Sequence, residues 1–111
     1  MTRIYQDPSV NHDEAVRLLA SHLDANVVHA LVSIGLNEED RVWAQDTCLG
    51  YLESGSESET AAAVTALGHI ARRFGEINLD KVTPAFERVK LKFPSLEAIT
   101  ADTLDDIEMF T

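Results

Sequence analysis

The sequence predicts an all-α fold, an α-solenoid of about three antiparallel helix pairs, from two observations. The motif Ala/Thr-Leu-x-x-Ile occurs at residues 30–34, 66–70 and 103–107, with spacings of 36 and 37 residues. Helix breakers are scarce, because the 111 residues include only three prolines and five glycines. A period of this size made of two helices is typical of solenoids, in which each pair stacks on its neighbours to cover its apolar face. The predicted single domain comprises residues 1–111, with repeats at about 11–36, 37–74 and 78–110.

The first pair is predicted to follow an irregular lead-in over residues 1–10. Asn11, with Glu14 three positions later, is typical of a helix N-cap. Asp24 is predicted to cap a second helix that ends near Leu36, because a carboxylate can accept the unpaired backbone N–H groups of a first turn.

The second pair is predicted to open at Asn37, where the three acids that follow would fall in a first turn and be favoured by the helix dipole. The side of this helix that faces the core is predicted at Val42, Gln45, Leu49 and Leu52. Ser56 and Glu59 form a capping-box pattern for the next helix, which runs to about Phe74. Its many alanines favour close approach of neighbouring helices, and we therefore expect it at the centre of the fold.

The third pair is predicted to begin at Asn78. Pro84 lies inside the helix that follows and is expected to bend it, because proline removes a backbone hydrogen bond. The helix is predicted to end at Phe93, since the residue before a proline disfavours the helical region. Ser95 is then predicted to cap the last helix.

The charge balance limits the classes of function. The chain has 19 acidic and 9 basic residues and a net charge of −10, which argues against binding to nucleic acid or to an anionic membrane. Such a charge favours solubility alone or a basic partner reached by electrostatic steering. The single cysteine, Cys48, makes no internal disulfide and indicates a reducing compartment. With no signal peptide or long apolar run predicted, we expect a cytoplasmic protein.

Helical geometry places one set of side chains away from the repeated apolar stripe of the second helices. Because second helices line one surface of a solenoid, these residues are predicted to form a continuous strip that becomes acidic at its end. The acidic end has two open interpretations: a solvated face that keeps the end repeat soluble, or a docking surface for a basic partner. The predicted strip comprises His29, Val32, Ser33, Leu36, Thr65, Gly68, His69, Arg72, Asp102, Asp105 and Asp106.

A second acidic stretch covers residues 37–59 and contains one aromatic anchor candidate, Trp43. Aromatic residues framed by charge are common in protein interfaces. Two interpretations stay open for Trp43: an anchor for a partner, or a side chain packed sideways on the first helix pair. The candidate contacts in this stretch are Glu38, Glu39, Asp40, Trp43 and Asp46.

Catalysis ranks last among the functions considered. Ser33, His69 and Asp106 occupy equivalent positions in the three second helices, but neighbouring helix axes lie about 8–10 Å apart, which is too far for a serine and a histidine to meet regularly. No oxyanion donors or further metal ligands are identifiable in the sequence. We therefore expect no enzyme activity, no cofactor and no metal.

Over residues 38–110 the chain resembles HEAT repeats. The resemblance is carried by Pro84 in a first helix, by the tight linkers SGSE and FPS, and by ALGHI in a second helix. The helix over residues 42–53 lacks the proline that HEAT first helices typically carry and departs from the pattern.

Two further segments, LGHIARRFGEINLDKVTPAFERV and DTLDDIEMF, resemble small acidic HEAT-like immunity proteins of bacterial polymorphic and contact-dependent toxin systems. This resemblance implies a monomer that binds a cognate basic toxin domain, such as a nuclease, in a 1:1 complex without contacting nucleic acid or membrane itself. A small adaptor with no toxin partner is the alternative.

Overall fold

The computed structural model describes residues 10–111, and every regular element in that range is helical, which confirms the all-α prediction. The predicted lead-in lies, apart from Val10, outside the described residues. The α-helices are α1 (His12–Ala20), α2 (Asp24–Asn37), α3 (Arg41–Ser54), α4 (Glu57–Phe74), α5 (Leu79–Lys92) and α6 (Glu97–Phe110), with a 3-10 turn at Pro94–Leu96 before α6.

Three predicted N-caps are confirmed. The side chains of Asn11, Ser56 and Asn78 each accept a backbone N–H from the residue three positions later. Ser56 and Glu59 form the complete capping box, with reciprocal side-chain and backbone bonds. Each cap satisfies donors that a helix leaves unpaired and stabilises it by about 1 kcal/mol.

The other predicted helix starts were wrong. Asp24 is the first residue of α2, and its carboxylate accepts the hydroxyls of Ser56 and Ser58 across to α4. Asn37 is the last residue of α2, because the backbone of Glu38 is extended. The next helix, α3, is capped by Asp40. The carboxylate of Asp24 binds hydroxyl groups instead of a backbone N–H, because a carboxylate accepts either kind of donor.

The turn before α6 also differs from its prediction. Pro94 opens a 3-10 turn rather than simply ending α5, so α6 begins at Glu97 without a side-chain cap. The hydroxyl of Ser95 is then directed to the carboxylate of Glu57 in the first turn of α4.

The helix α4 lies at the centre and contacts α2, α3 and α6, as its composition predicted. Gly35 of α2 lies directly against Ala66 of α4: a Cβ built on Gly35 would be 2.7 Å from Ala66 Cα. Gly68 of α4 faces Thr103 of α6 in the same way, at 3.0 Å from its Cγ2. Small residues thus set the spacing on both sides of α4.

Burial follows the 36- and 37-residue spacing of the sequence. Ile34, Ile70 and Ile107 are all at most 2% exposed, and the motif positions one turn earlier are buried as well, except for the half-buried Leu104. On the first helices, buried positions of α3 recur 37 residues later in α5. The recurring pairs are Gln45 with Val82, Cys48 with Ala85, and Leu52 with Val89.

The core-facing side predicted for α3 was partly wrong. Val42 is 52% exposed, whereas the polar side chain of Gln45 is buried as predicted. The amide oxygen of Gln45 accepts the backbone N–H of Asn78 at 2.8 Å, which satisfies a polar group inside the core and ties α3 to the start of α5.

Arg73, in the last turn of α4, caps the end of α2. Its guanidinium donates to the carbonyls of Gly35 at 3.0 Å and Glu38 at 2.8 Å, with a longer contact to Ile34 at 3.4 Å. The last carbonyls of a helix lack intrahelical donors and carry the negative end of its dipole. Arg73 therefore joins neighbouring second helices by charge-assisted hydrogen bonds.

The close approach of α2 and α4 gives a first prediction. Gly35→Ala is expected to lower the free energy of unfolding by about 1–3 kcal/mol, because the added methyl group meets backbone atoms that cannot move independently. Gly50→Ala is the matched control, since nothing lies within 4 Å of its added Cβ. The control is expected to raise the free energy of unfolding by about 0.5–1 kcal/mol through helix propensity. Urea denaturation measures both, and equal effects of the two changes would contradict the packing described.

A second prediction concerns Arg73. Arg73→Gln is expected to lower the free energy of unfolding by about 1–2 kcal/mol, because the α2 carbonyls lose charged donors and part of that loss is recovered by water. Lys81→Gln, on exposed α5, is the control and is expected to change it by less than about 0.5 kcal/mol. Denaturation at low and high salt measures the free energy of unfolding of both variants. An Arg73→Gln variant as stable as the unaltered protein would contradict the capping role.

Candidate binding surface

The predicted strip of the second helices is largely at the surface, and we call it the second-helix face. On α2 its exposed members include two aliphatic side chains, while on α6 all three aspartates are exposed. On α4 the face consists of the half-buried His69 and the exposed Arg72. The second-helix face comprises His29, Val32, Leu36, His69, Arg72, Asp102, Asp105 and Asp106.

One predicted member of the strip is buried instead. Ser33 is 2% exposed, and its hydroxyl accepts the backbone N–H of Val10 at 2.8 Å and lies 3.3 Å from the Val10 carbonyl. The chain before α1 therefore covers this position. A helical wheel of α2 alone does not show that covering segment.

The face also extends one turn further than predicted. Met109 follows Asp105 and Asp106 by four and three residues and lies on the same side of α6. Its side chain is 76% exposed. Continuing the i, i+3, i+4 spacing from Asp102 by one turn would have identified it.

The three aspartates of α6 differ in their partners. Asp106 lies 3.5 Å from the guanidinium of Arg72, which also stands over the ring of Phe110 at 5.2 Å. In the range that the structure describes, no cation lies within 4 Å of Asp102 or Asp105. The acidic end of the face thus has two unpaired carboxylates beside one that Arg72 partly neutralises.

His69 adds little positive charge to the face. Partial burial lowers the pKa of His69 below 6.5, and the nearby cations Arg72 and Arg73 lower it further. The imidazole is therefore mainly neutral at pH 7, and the second-helix face keeps its negative character between α4 and α6.

The acidic stretch after α2 is used mostly inside the molecule. Glu38 binds His12 through one carboxylate oxygen at 2.8 Å and accepts the Asp40 backbone N–H through the other. Asp40 accepts the N–H of Trp43 as the α3 N-cap. Glu39 and Asp46 are exposed. Glu38 and Asp40, two of the predicted contacts, are therefore engaged by donors of the protein itself.

Trp43 packs sideways on the first helix pair, which is the second of its two interpretations. Its ring is half-buried against the core, and the His12 ring lies 4.3 Å away between centroids at a 54° tilt. No role in this junction was predicted for His12. Only the charge pattern around His12 and Glu38 hints at it in the sequence.

The positions considered for catalysis do not assemble. The Ser33 hydroxyl is engaged with the backbone of Val10, and Asp106 faces Arg72 rather than His69. Cys48 is a small core residue, and burial raises the pKa of its thiol to about 12. Among residues 10–111, no three His, Cys, Asp or Glu side chains are grouped so that they could hold a metal ion. The helices of the same residues are all too short or too polar to cross a membrane.

The unpaired aspartates give a third prediction. The double change Asp102→Asn and Asp105→Asn is expected to raise the free energy of unfolding by about 0.2–0.5 kcal/mol, because it removes like-charge repulsion at i, i+3. Asp40→Asn with Glu38→Gln is the comparison and is expected to lower it, since both carboxylates bind internal donors. Thermal unfolding at low salt measures the difference, and a destabilised α6 variant would show that its aspartates are structural.

Comparison of the chain with protein-family models, with curated proteins and with solved structures finds no match. The role of the second-helix face is therefore inferred from its own residues and from the resemblance of short segments.

Proposed function

We propose that the chain is a HEAT-like α-solenoid of three antiparallel helix pairs that works by binding a basic protein. The helix contacts support this arrangement, because α2 touches α4, α4 touches α6, and α3 touches α5. Side-chain hydrogen bonds between distant parts of the chain also join residues 32 to 39 apart, except those made by Ser33 and His12. Each pair therefore contacts the next through a separation of about one repeat, as stacking requires.

The observation that carries the binding proposal is the pair of unpaired carboxylates on α6. Asp102 and Asp105 lie one turn apart, where like charges disfavour the helix by about 0.2–0.5 kcal/mol. Most other acids between Glu38 and Glu59 have internal donors. A locally unfavourable charge that no internal cation relieves is what a surface for an external cation requires.

The most specific form of this function is an immunity protein that neutralises a basic toxin domain, such as a nuclease, by occlusion. The segment resemblance supports it. The aspartates of α6 would pair with lysines and arginines that the toxin uses for its own substrate, and the net charge of −10 would speed encounter. Val32, Leu36 and Met109 would contribute apolar contacts that slow release. A 1:1 complex of a monomer in the cytoplasm belongs to the same proposal.

The alternative function is an adaptor with no toxin partner, in which acid serves solubility. It is favoured by the many acids that already serve inside the molecule, such as Asp24 with Ser56 and Glu53 with Arg88. An adaptor would bind without protecting any cell from a toxin.

A fourth prediction tests the face. The triple change Asp102→Asn, Asp105→Asn and Asp106→Asn is expected to weaken binding to the toxin domain encoded beside the gene at least tenfold, mainly through a lower association rate, because it removes the charges that face the basic partner. Calorimetry and a growth-protection assay measure binding and function.

The control removes three charges elsewhere, with Glu14→Gln, Asp80→Asn and Glu97→Gln, and leaves the net charge equal to that of the test variant. It is expected to bind within about threefold of the unchanged protein. Equal loss in both variants would mean that net charge alone matters. Full binding by the triple α6 variant would exclude this face, and absence of any protection would exclude immunity in favour of the adaptor.

A further inference from the structure

The first helix is attached to the rest of the molecule by few contacts. Among the residues of α1, only Ala15 is fully buried, and the helix packs mainly on α2. By contrast, α4 buries eight residues against three helices. Elements with little buried apolar surface open locally at lower free energy than the core.

The N-terminal end of α1 is held by two polar contacts. Just before the helix, the backbone N–H of Val10 donates to Oγ of Ser33 in α2 at 2.8 Å. Nδ1 of His12 donates to Oε1 of Glu38 at 2.8 Å, and the His12 ring lies against Trp43. A cavity of about 230 Å³ lies beside this contact, lined by the start of α1 and the end of α2. The seam is therefore incompletely filled, and packing alone holds it weakly.

The opposite end of α1 is a turn of three residues that leads into α2. His22, between α1 and α2, has a φ of 57°. A non-glycine residue in the left-handed region is strained, and such residues concentrate in turns whose conformation the surrounding contacts must enforce.

We propose that α1 is a pH-dependent flap, hinged at His22 and held closed by the contact of His12 with Glu38 and Trp43. When His12 is protonated, its charge is paired with Glu38 and the flap is closed. When His12 is neutral, the charge attraction is lost, and α1 moves away from α2 and uncovers the Trp43 ring. This device is independent of the proposed binding function.

The acidic groups around His12 favour its protonated form. The hydrogen bond to Glu38 raises the pKa of His12 above 6.5 against the opposing effect of desolvation, and Asp13 on α1 and Asp40 at the start of α3 raise it further. The cation facing this site from α4 is Arg73, which binds the Glu38 backbone carbonyl. Because the pKa is higher in the closed state, closure is fully favoured below pH 6.5 and loses this contribution as the pH rises through the closed-state pKa.

Trp43 is the chain's single tryptophan and reports directly on this contact. A protonated imidazole quenches an adjacent indole, so emission is expected to rise in one transition with a midpoint above pH 6.5. His12→Gln is expected to abolish the transition, and Glu38→Gln to move its midpoint down toward 6.5. The matched control, His69→Gln, is expected to keep it.

Hydrogen exchange measures the flap itself. After correction for intrinsic rates, the protection of α1 amides is expected to fall by up to about tenfold per pH unit across that transition, while α4 stays protected. In His12→Gln, α1 protection is expected to be low and independent of pH. Unchanged α1 protection between pH 6 and pH 8 in the unaltered protein, or a transition that survives in His12→Gln, would overturn the proposal.

Discussion

The close approach of α2 and α4, where Gly35 lies against Ala66, is the constraint on which the rest of the structure depends. Only at this separation can Arg73 reach the last carbonyls of α2 from the end of α4. The same central helix meets α6 at Gly68, so the spacing on one side is matched on the other. Protein interiors tolerate few voids, and a change at either contact would move a whole helix.

Polar side chains also connect neighbouring helix pairs. Arg88 of α5 forks onto the carboxylate of Glu53, and Lys92 donates to the carbonyl of the same residue at the end of α3. Lys92 thus does for α3 what Arg73 does for α2. Several acids of the chain serve such joints, whereas Asp102 and Asp105 lie one turn apart on α6 with no cation within 4 Å among the described residues.

The sequence predicts the parts of the fold that depend on local chemistry and on the repeat. The motif at residues 66–70 and its two repeats predict the buried side of each second helix, because neighbouring helix pairs must cover each other's apolar faces. Gln45 was predicted on the inward side of α3 from helical spacing, but the donor that satisfies its amide, the backbone N–H of Asn78, is distant in sequence and was not predictable. For the site, the exposure of the α6 aspartates was predictable from helical spacing, but the pairing of Asp106 with Arg72 depends on how two helices pack. The burial of Ser33 depends on the segment before α1, which no periodicity describes.

The buried thiol of Cys48 has a practical consequence. Its sulfur is screened from solvent by the core, and its high pKa leaves almost no thiolate at neutral pH. Alkylating reagents and maleimide dyes react with the thiolate, so they will reach this position only when the chain opens globally. A cysteine introduced at the surface can therefore be labelled selectively without first removing the natural one. The rate at which Cys48 reacts with such a reagent then reports the rate of global unfolding.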